Sequence, residues 1–263
     1  MIINAHPYRF HYWFNPGSSW VESWASSFKS PDIQIWPEET DEPPSWFVWT
    51  SRHLDDVGSP QELVDRTSAL KAIFDGAMYL AAGRQYFPFK LAKPEAVRTA
   101  DASWMYSLPD ETDPRVEPFS VTQVDEKIDR WHDPMKDPVS RVIFLARYDE
   151  LTRNLLKFLG VQGLNYISLY GLRDWMKSGK WDDARIAREA GWSGAKLDDF
   201  TNTANNPTYL GPFCRHGGLK DPPKRPMPLD EAVDPLLKAT RAFLLERGEQ
   251  FGLRAKLAAL MSS

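Results

Sequence analysis

The sequence predicts an α+β protein, with an aromatic-rich N-terminal part built on a small sheet and one long helix, followed by an all-helical C-terminal domain. Three observations carry this. Short aromatic runs punctuated by proline and glycine fill the first third of the chain, the pattern of strands and turns. One amphipathic run with clear start and stop signals occupies residues 59–83. Beyond the Asp133-Pro134 and Asp137-Pro138 steps, apolar residues recur every three or four positions, as on helices packed in a core. The expected division is an acidic α+β domain over residues 1–133 and a helical domain over residues 134–263.

From the N-terminus, His6 to Phe14 is dense in aromatic residues and closed by Pro16-Gly17, so it reads as a first strand. Trp20, Trp24 and Phe28 stand four apart and predict a short helix over Ser19 to Phe28, its aromatic stripe turned inward. Ile33 to Trp36 and Trp46 to Thr50 are two further strands, joined by an acidic, proline-bearing loop whose carboxylates lack calcium-loop spacing. Ser59-Pro60-Gln61-Glu62 combines a capping residue, proline at the first helical position and glutamate three after the cap. Leu63, Leu70, Ile73, Phe74, Ala77 and Leu80 then line one face, and Gly83 ends the helix. Tyr86 to Leu91 is expected to return as an edge strand, and Phe119 to Val124 to add some strand.

In the second half, Asp137-Pro138 opens a helix whose face carries Val142, Leu145, Leu151, Leu155 and Phe158, with Gly160 as its stop. Helices follow over Asn165 to Ser178 and Asp182 to Ala190. The chain closes with Asp230 to Glu246, kinked or re-initiated at Asp234-Pro235, and a last helix over Glu249 to Met261 after Gly248.

Composition excludes several functions. The chain has 263 residues and one cysteine, Cys214, so it has no internal disulfide; Cys/His zinc spacing is absent, and a reducing cytoplasm is the expected setting, with no metal and no cofactor. The start MIINAHPYRF has no basic segment leading into an apolar core, and no run approaches 18 apolar residues, so neither secretion nor membrane spanning is expected. The phosphate-loop, dinucleotide, zincin, nucleophile-elbow and CxxC motifs are all missing. Net charge is −4 overall, divided as −9 over residues 1–133 and +5 over residues 134–263. The basic half suits nucleic acid, or the acidic half of a neighbouring domain.

The densest chemistry lies in Phe200 to Leu229. Asn202, Asn205 and Asn206 lead into Pro207, and Gly211-Pro212 leads into Cys214-Arg215-His216-Gly217-Gly218, an ordered loop by its turn residues. A fixed guanidinium fork beside an imidazole that titrates near neutrality can hold a phosphate and move a proton. On that reading Arg215 and His216 are the catalytic pair, with Asp149, Glu150 and His132 as candidate helpers, and Asn205, Asn206, Lys220, Lys224 and Arg225 as binding residues. The alternative is structural: Arg215 ties down carbonyls or a carboxylate, and the prolines from Pro222 to Pro228 carry the chain to the last helices. A cysteine nucleophile at Cys214 is disfavoured, because neighbouring side chains on extended backbone point apart.

Thr203-Ala204-Asn205, Pro207, Arg215-His216-Gly217, the paired prolines, Pro226-Met227 and Leu229-Asp230-Glu231-Ala232 together resemble the C-terminal signature of a group of uncharacterised bacterial proteins. The resemblance covers roughly residues 139–243, and that group supplies no activity. A looser analogy links the helical half to HEPN domains, which implies a metal-independent ribonuclease built on an Arg and a His. Here the two are adjacent, where HEPN domains separate them by four to six residues. Ile186 to Ser193 followed by Ala195 to Asn202 also looks like a helix-turn-helix, but Lys196 stands against Asp198 and Asp199, and carboxylates facing phosphates disfavour sequence-specific DNA. The leading expectation is an accessory or interaction protein engaging RNA or a partner protein through the Asn205 to Lys224 surface, with the ribonuclease as the enzyme alternative.

Overall fold

A computed structural model describes residues 8–15, 19–38, 46–96, 99–123, 127–211, 214, 221 and 223–262. The fold is α+β, with a four-stranded antiparallel sheet near the N-terminus and helices through most of the rest. The chain divides into two compact units that are discontinuous in sequence. Unit 1 is Met1–Lys71, Phe87–Arg147 and Arg254–Ser263, and unit 2 is Ala72–Tyr86 and Tyr148–Leu253. The linear cut expected at residue 133 falls inside unit 1.

Unit 1 is organised by the sheet, whose strands are β1 (Phe10–Phe14), β2 (Gln34–Pro37), β3 (Phe47–Thr50) and β4 (Pro94–Ala96), in the order β2-β3-β1-β4. Phe10, Tyr12 and Phe14 are buried on one face of β1, with His11 and Trp13 half-buried on the other. All four residues of β3 are buried, and Trp49 is wholly enclosed. Helix α1 (Ser19–Ser27) sends Val21 and Ala25 inward, and Trp24 meets Phe28 at 4.5 Å.

The strand expected over Tyr86 to Leu91 is absent. There Phe89 stacks on Phe14 at 3.8 Å with the Lys71 ammonium 4.2 Å from its ring, and the ladder resumes only at β4. Proline at position 88 has no N–H to give a strand, so side-chain packing holds the segment instead. The described part of Phe119 to Val124 is also a turn, because Ser120 and Thr122 spend their hydroxyls on Asp56; Val124 lies outside the described residues.

Helix α2 (Pro60–Ala82) starts as the sequence dictates. Ser59 Oγ accepts from Glu62 N at 3.2 Å, and the Glu62 carboxylate accepts from Gly58 N at 2.8 Å. Gly83 follows in the left-handed region at φ 56°. The unit boundary falls inside this helix, between Lys71 and Ala72.

The single helix expected from Asp137 is two: α3 (Pro138–Tyr148), which lies in unit 1 through Arg147, and α4 (Glu150–Gln162) in unit 2. Asp149 leaves helical geometry (φ −118°, ψ 103°) and caps α4 by accepting from Leu151 N and Thr152 N. Gly160 does not stop α4. In unit 2, a Cβ on Gly160 would fall on the Ala72 carbonyl, and one on Gly76 on the Leu156 carbonyl. Glycine therefore lets the backbones of α2 and α4 touch.

Helix α5 (Tyr166–Ser178) opens with a capping box between Asn165 and Ser168. It ends in a Schellman motif, with Trp181 N donating to Met176 O at 3.0 Å and Lys180 N to Lys177 O at 2.9 Å. The left-handed residue of that motif is Lys180, φ 72°, the sole non-glycine of positive φ among the described residues. Helix α6 (Asp183–Ala190) is capped by Asp182 and ended by left-handed Gly191, and α7 (Gly194–Ala204) is capped by Ser193. The short α8 (Pro207–Leu210) follows Asn206. Helix α9 (Leu229–Gln250) runs unbroken through Pro235 and Gly248 and packs on α5 and α6. The break expected at Gly248 lies at Gly252 (φ 59°), which takes the left-handed turn before α10 (Leu253–Ser262).

Candidate functional site

Three places in the described structure concentrate polar chemistry. The first is the base of the Asn205 to Lys224 loop in unit 2. Thr203 Oγ1, at the end of α7, donates to Asp199 O at 2.7 Å and accepts from Met227 N at 3.0 Å. Tyr166 OH donates to Met227 O at 2.8 Å. Asn206 Oδ1 caps α8 by accepting from Thr208 N and Tyr209 N, while its Nδ2 donates to Asp221 O at 2.6 Å. Helix end and returning loop are thus clamped by the buried Thr203 and Asn206 and the half-buried Tyr166, each satisfying a backbone partner.

Asn206 is spent within the fold, and Asn205 is 8% exposed with no hydrogen-bond partner for its Oδ1 among the described residues. Lys224 and Arg225 are exposed side by side. Arg215, His216 and Lys220 lie outside the described residues. Of the helpers, Asp149 is engaged by Arg247, whose Nη2 donates to its Oδ1 at 2.5 Å and whose Nε donates to its Oδ2. Burial would raise the Asp149 pKa, but the Arg247 and Thr152 hydrogen bonds outweigh it and the net shift is down. Glu150 is exposed in the first turn of α4. His132 belongs to unit 1, at the end of the turn Arg130–His132. Burial lowers its pKa against the opposing pull of Asp129.

The second place, in unit 1, has no counterpart in the sequence reading. Asp32, His53 and the Arg147 side chain are wholly buried together. His53 Nε2 donates to Asp32 Oδ1 at 2.9 Å, and Arg147 Nε donates to the same oxygen. His53 Nδ1 accepts from Ser120 N at 3.2 Å. A lone pair at Nδ1 and a proton at Nε2 define the neutral imidazole. Burial lowers the His53 pKa, with Arg147 and Arg52 adding to it and Asp32 opposing. Burial would raise Asp32, but Arg147 and His53 outweigh it, so the carboxylate is held below its ordinary range.

The cluster extends outward through Arg66, whose Nη1 donates to His53 O at 2.7 Å and to Asp56. With no solvent access, it acts as a lock joining the β2 approach, the turn after β3, the Ser120 turn and α3. Its members are 21 and 94 positions apart in sequence, so periodicity carries no trace of them; the faint signal is Asp32 itself, an acid beside the apolar run Ile33 to Trp36.

The third place is an open cleft of about 500 Å³ in unit 2, lined by Ser178 to Trp181, Arg185, Glu246, Arg247, Gln250 and Leu151. Arg185 lies over the Trp181 ring at 4.1 Å and pairs with Glu246, which also accepts from Gln250 Nε2 at 3.1 Å.

No group of three or more acidic, His or Cys side chains placed to hold a metal occurs among the described residues, and no helix there is long and apolar enough to cross a membrane. The α6–Gly191–α7 corner has helix-turn-helix form, but Asp198 is exposed on α7 beside Lys196. No family model matches the chain, and no curated protein and no solved structure is similar to it.

Proposed function

We propose that the protein is a cytoplasmic accessory protein whose helical unit binds RNA through the Asn205 to Lys224 surface and the adjoining Arg225. What supports the reading is the adjacent exposed pair Lys224 and Arg225 beside a loop whose ends are held by Thr203, Asn206 and Tyr166. Two exposed cations adjacent in sequence and next to the anchored Met227 offer a phosphate backbone two charge contacts. In the same stretch of sequence, Arg215 and His216 offer donors for a phosphate contact, and with a third group ribonuclease chemistry in which His216 moves the proton.

The test is electrophoretic binding of end-labelled single-stranded RNA with a chelator present, over a salt series. Wild type binds with affinity falling steeply as salt rises, and Lys224→Glu/Arg225→Glu loses about tenfold or more, since each lost phosphate contact lowers the salt slope by roughly one. RNA affinity unchanged by the double substitution would overturn the assignment of the surface. If wild type binds no RNA while a partner protein is held through the same two residues, the RNA reading falls and the interaction reading replaces it. Cleavage by wild type that a folded His216→Ala variant lacks would make the protein an enzyme.

A further inference from the structure

Lys180 takes a backbone conformation unusual for a lysine, φ 72°, and it lines the cleft of unit 2. The left-handed position of a Schellman motif is glycine's, because any Cβ there crowds the following carbonyl. Two requirements compete at this corner. Gly179, the residue before, must itself be glycine because a Cβ would collide with the Phe243 ring. Position 180 bears no such restriction toward a larger side chain, yet a lysine occupies it at φ 72°.

Complementing the dipole of α5 does not account for this choice, since Lys177 already sits in the last turn and pairs with Asp183 at 3.1 Å. The charge at 180 has another outlet. Lys180 lines the cleft with Arg185 and Arg247, against one lining acid, Glu246. Arg185 is paired to Glu246 and Arg247 to the buried Asp149, whereas Lys180 is exposed and has no ionic partner among the described residues. A volume of about 500 Å³ lies within the range of small-molecule sites. Strained backbone kept at the rim of such a cleft is where function accumulates.

We propose that this cleft binds a small anionic molecule through a phosphate or carboxylate group, with Lys180 as the primary contact and Arg185 and Arg247 as flanking donors. Both guanidiniums are held in place by Glu246 and Asp149, so the site is ordered before the ligand arrives. The inference is independent of the RNA reading, which rests on Lys224 and Arg225.

Isothermal titration with pyrophosphate and with citrate at low ionic strength tests it, using wild type, Lys180→Gly and Lys180→Met. The expected result is one-site binding of at least one probe by wild type, weakened about tenfold or more in both variants and by added salt. The probe that binds identifies the anion class. Lys180→Gly should melt higher than wild type while binding less, a combination that damage to the fold cannot produce. Absence of binding by both probes, or full binding by either variant, overturns the proposal. Full binding of RNA by Lys180→Gly is expected alongside.

Discussion

Replacing Arg147 by methionine should be among the most damaging single changes in unit 1. The substitution keeps the volume of the stem but leaves the Asp32 carboxylate, 0% exposed, with His53 as its remaining hydrogen-bond donor of those described above. Attraction between unit charges near 4 Å is about 4 kcal/mol at an effective dielectric of 20. Breaking a buried pair from one side costs about 3–5 kcal/mol, because the surviving charge is neither solvated nor matched. That is a large part of the roughly 5–15 kcal/mol that holds a domain folded. Asp32→Asn should cost a similar amount by stranding Arg147. The double variant Asp32→Asn/Arg147→Met removes both charges and should cost less than the two singles together by about 2 kcal/mol or more. Amide exchange at the β1 and β3 backbone reads the opening free energy of unit 1 directly. A loss below about 1 kcal/mol for Arg147→Met, or strict additivity in the double variant, would refute the lock.

The same exchange measurement should show unit 1 weakening in acid in two steps. His53 has a folded pKa below its ordinary 6.5, so between those values the unfolded chain holds more protons and stability falls as pH drops below 6.5, by up to about 1.4 kcal/mol per unit. Asp32, depressed below 3.8, adds a second loss below that value. His132 is depressed too, by burial, and Asp137, raised by burial, works the other way near its own range; the His132→Gln background isolates His53, and flat stability there from pH 7 to 5 would contradict its neutral burial. In unit 2, Gly160→Ala should destabilise by about 1–3 kcal/mol or more through overpacking, despite alanine's helix preference of about 1 kcal/mol. Gly194→Ala, with open space around its Cβ, should be neutral or stabilising, and thermal melts of the pair read the opposite signs.

What the sequence announces is what neighbours in the chain decide. Ser59 with Glu62, Asn165, Asp182 and Gly191 each solve a problem of their own helix end, and the helices begin or stop where those residues stand. The aromatic runs at Phe10, Ile33 and Phe47 likewise form strands on their aromatic and β-branched content, with alternation clear in β1. Where the structure departs from the local pattern, the cause is often a partner distant in sequence. Asp149 resembles one more charge on a solvated helix face until Arg247, 98 positions on, is placed against it. Gly160 carries the mark of a helix stop, and only the presence of Ala72 reveals a backbone crossing. A three-residue strand beginning with Pro94 has too little pattern to be seen. At the loop, turn chemistry at Asn205 and Asn206 was readable, but that Asn206 would be consumed by Asp221 and α8 was not. Lys180 gave no signal, since a lysine before a tryptophan is unremarkable until its φ is known.

The discontinuity of unit 1 sets a timetable for the growing chain. Residues 254–263 belong to that unit, and Ile128 N donates to Leu260 O at 3.4 Å. The sheet and α3 are complete by Arg147, yet their last partner emerges roughly 110 residues later, on the order of ten seconds at ribosomal speeds of about 5–20 residues per second. Unit 2, synthesised almost wholly within that interval, is nearly finished before its predecessor can close. A nascent chain halted anywhere in between exposes the unfilled seat of α10 on unit 1.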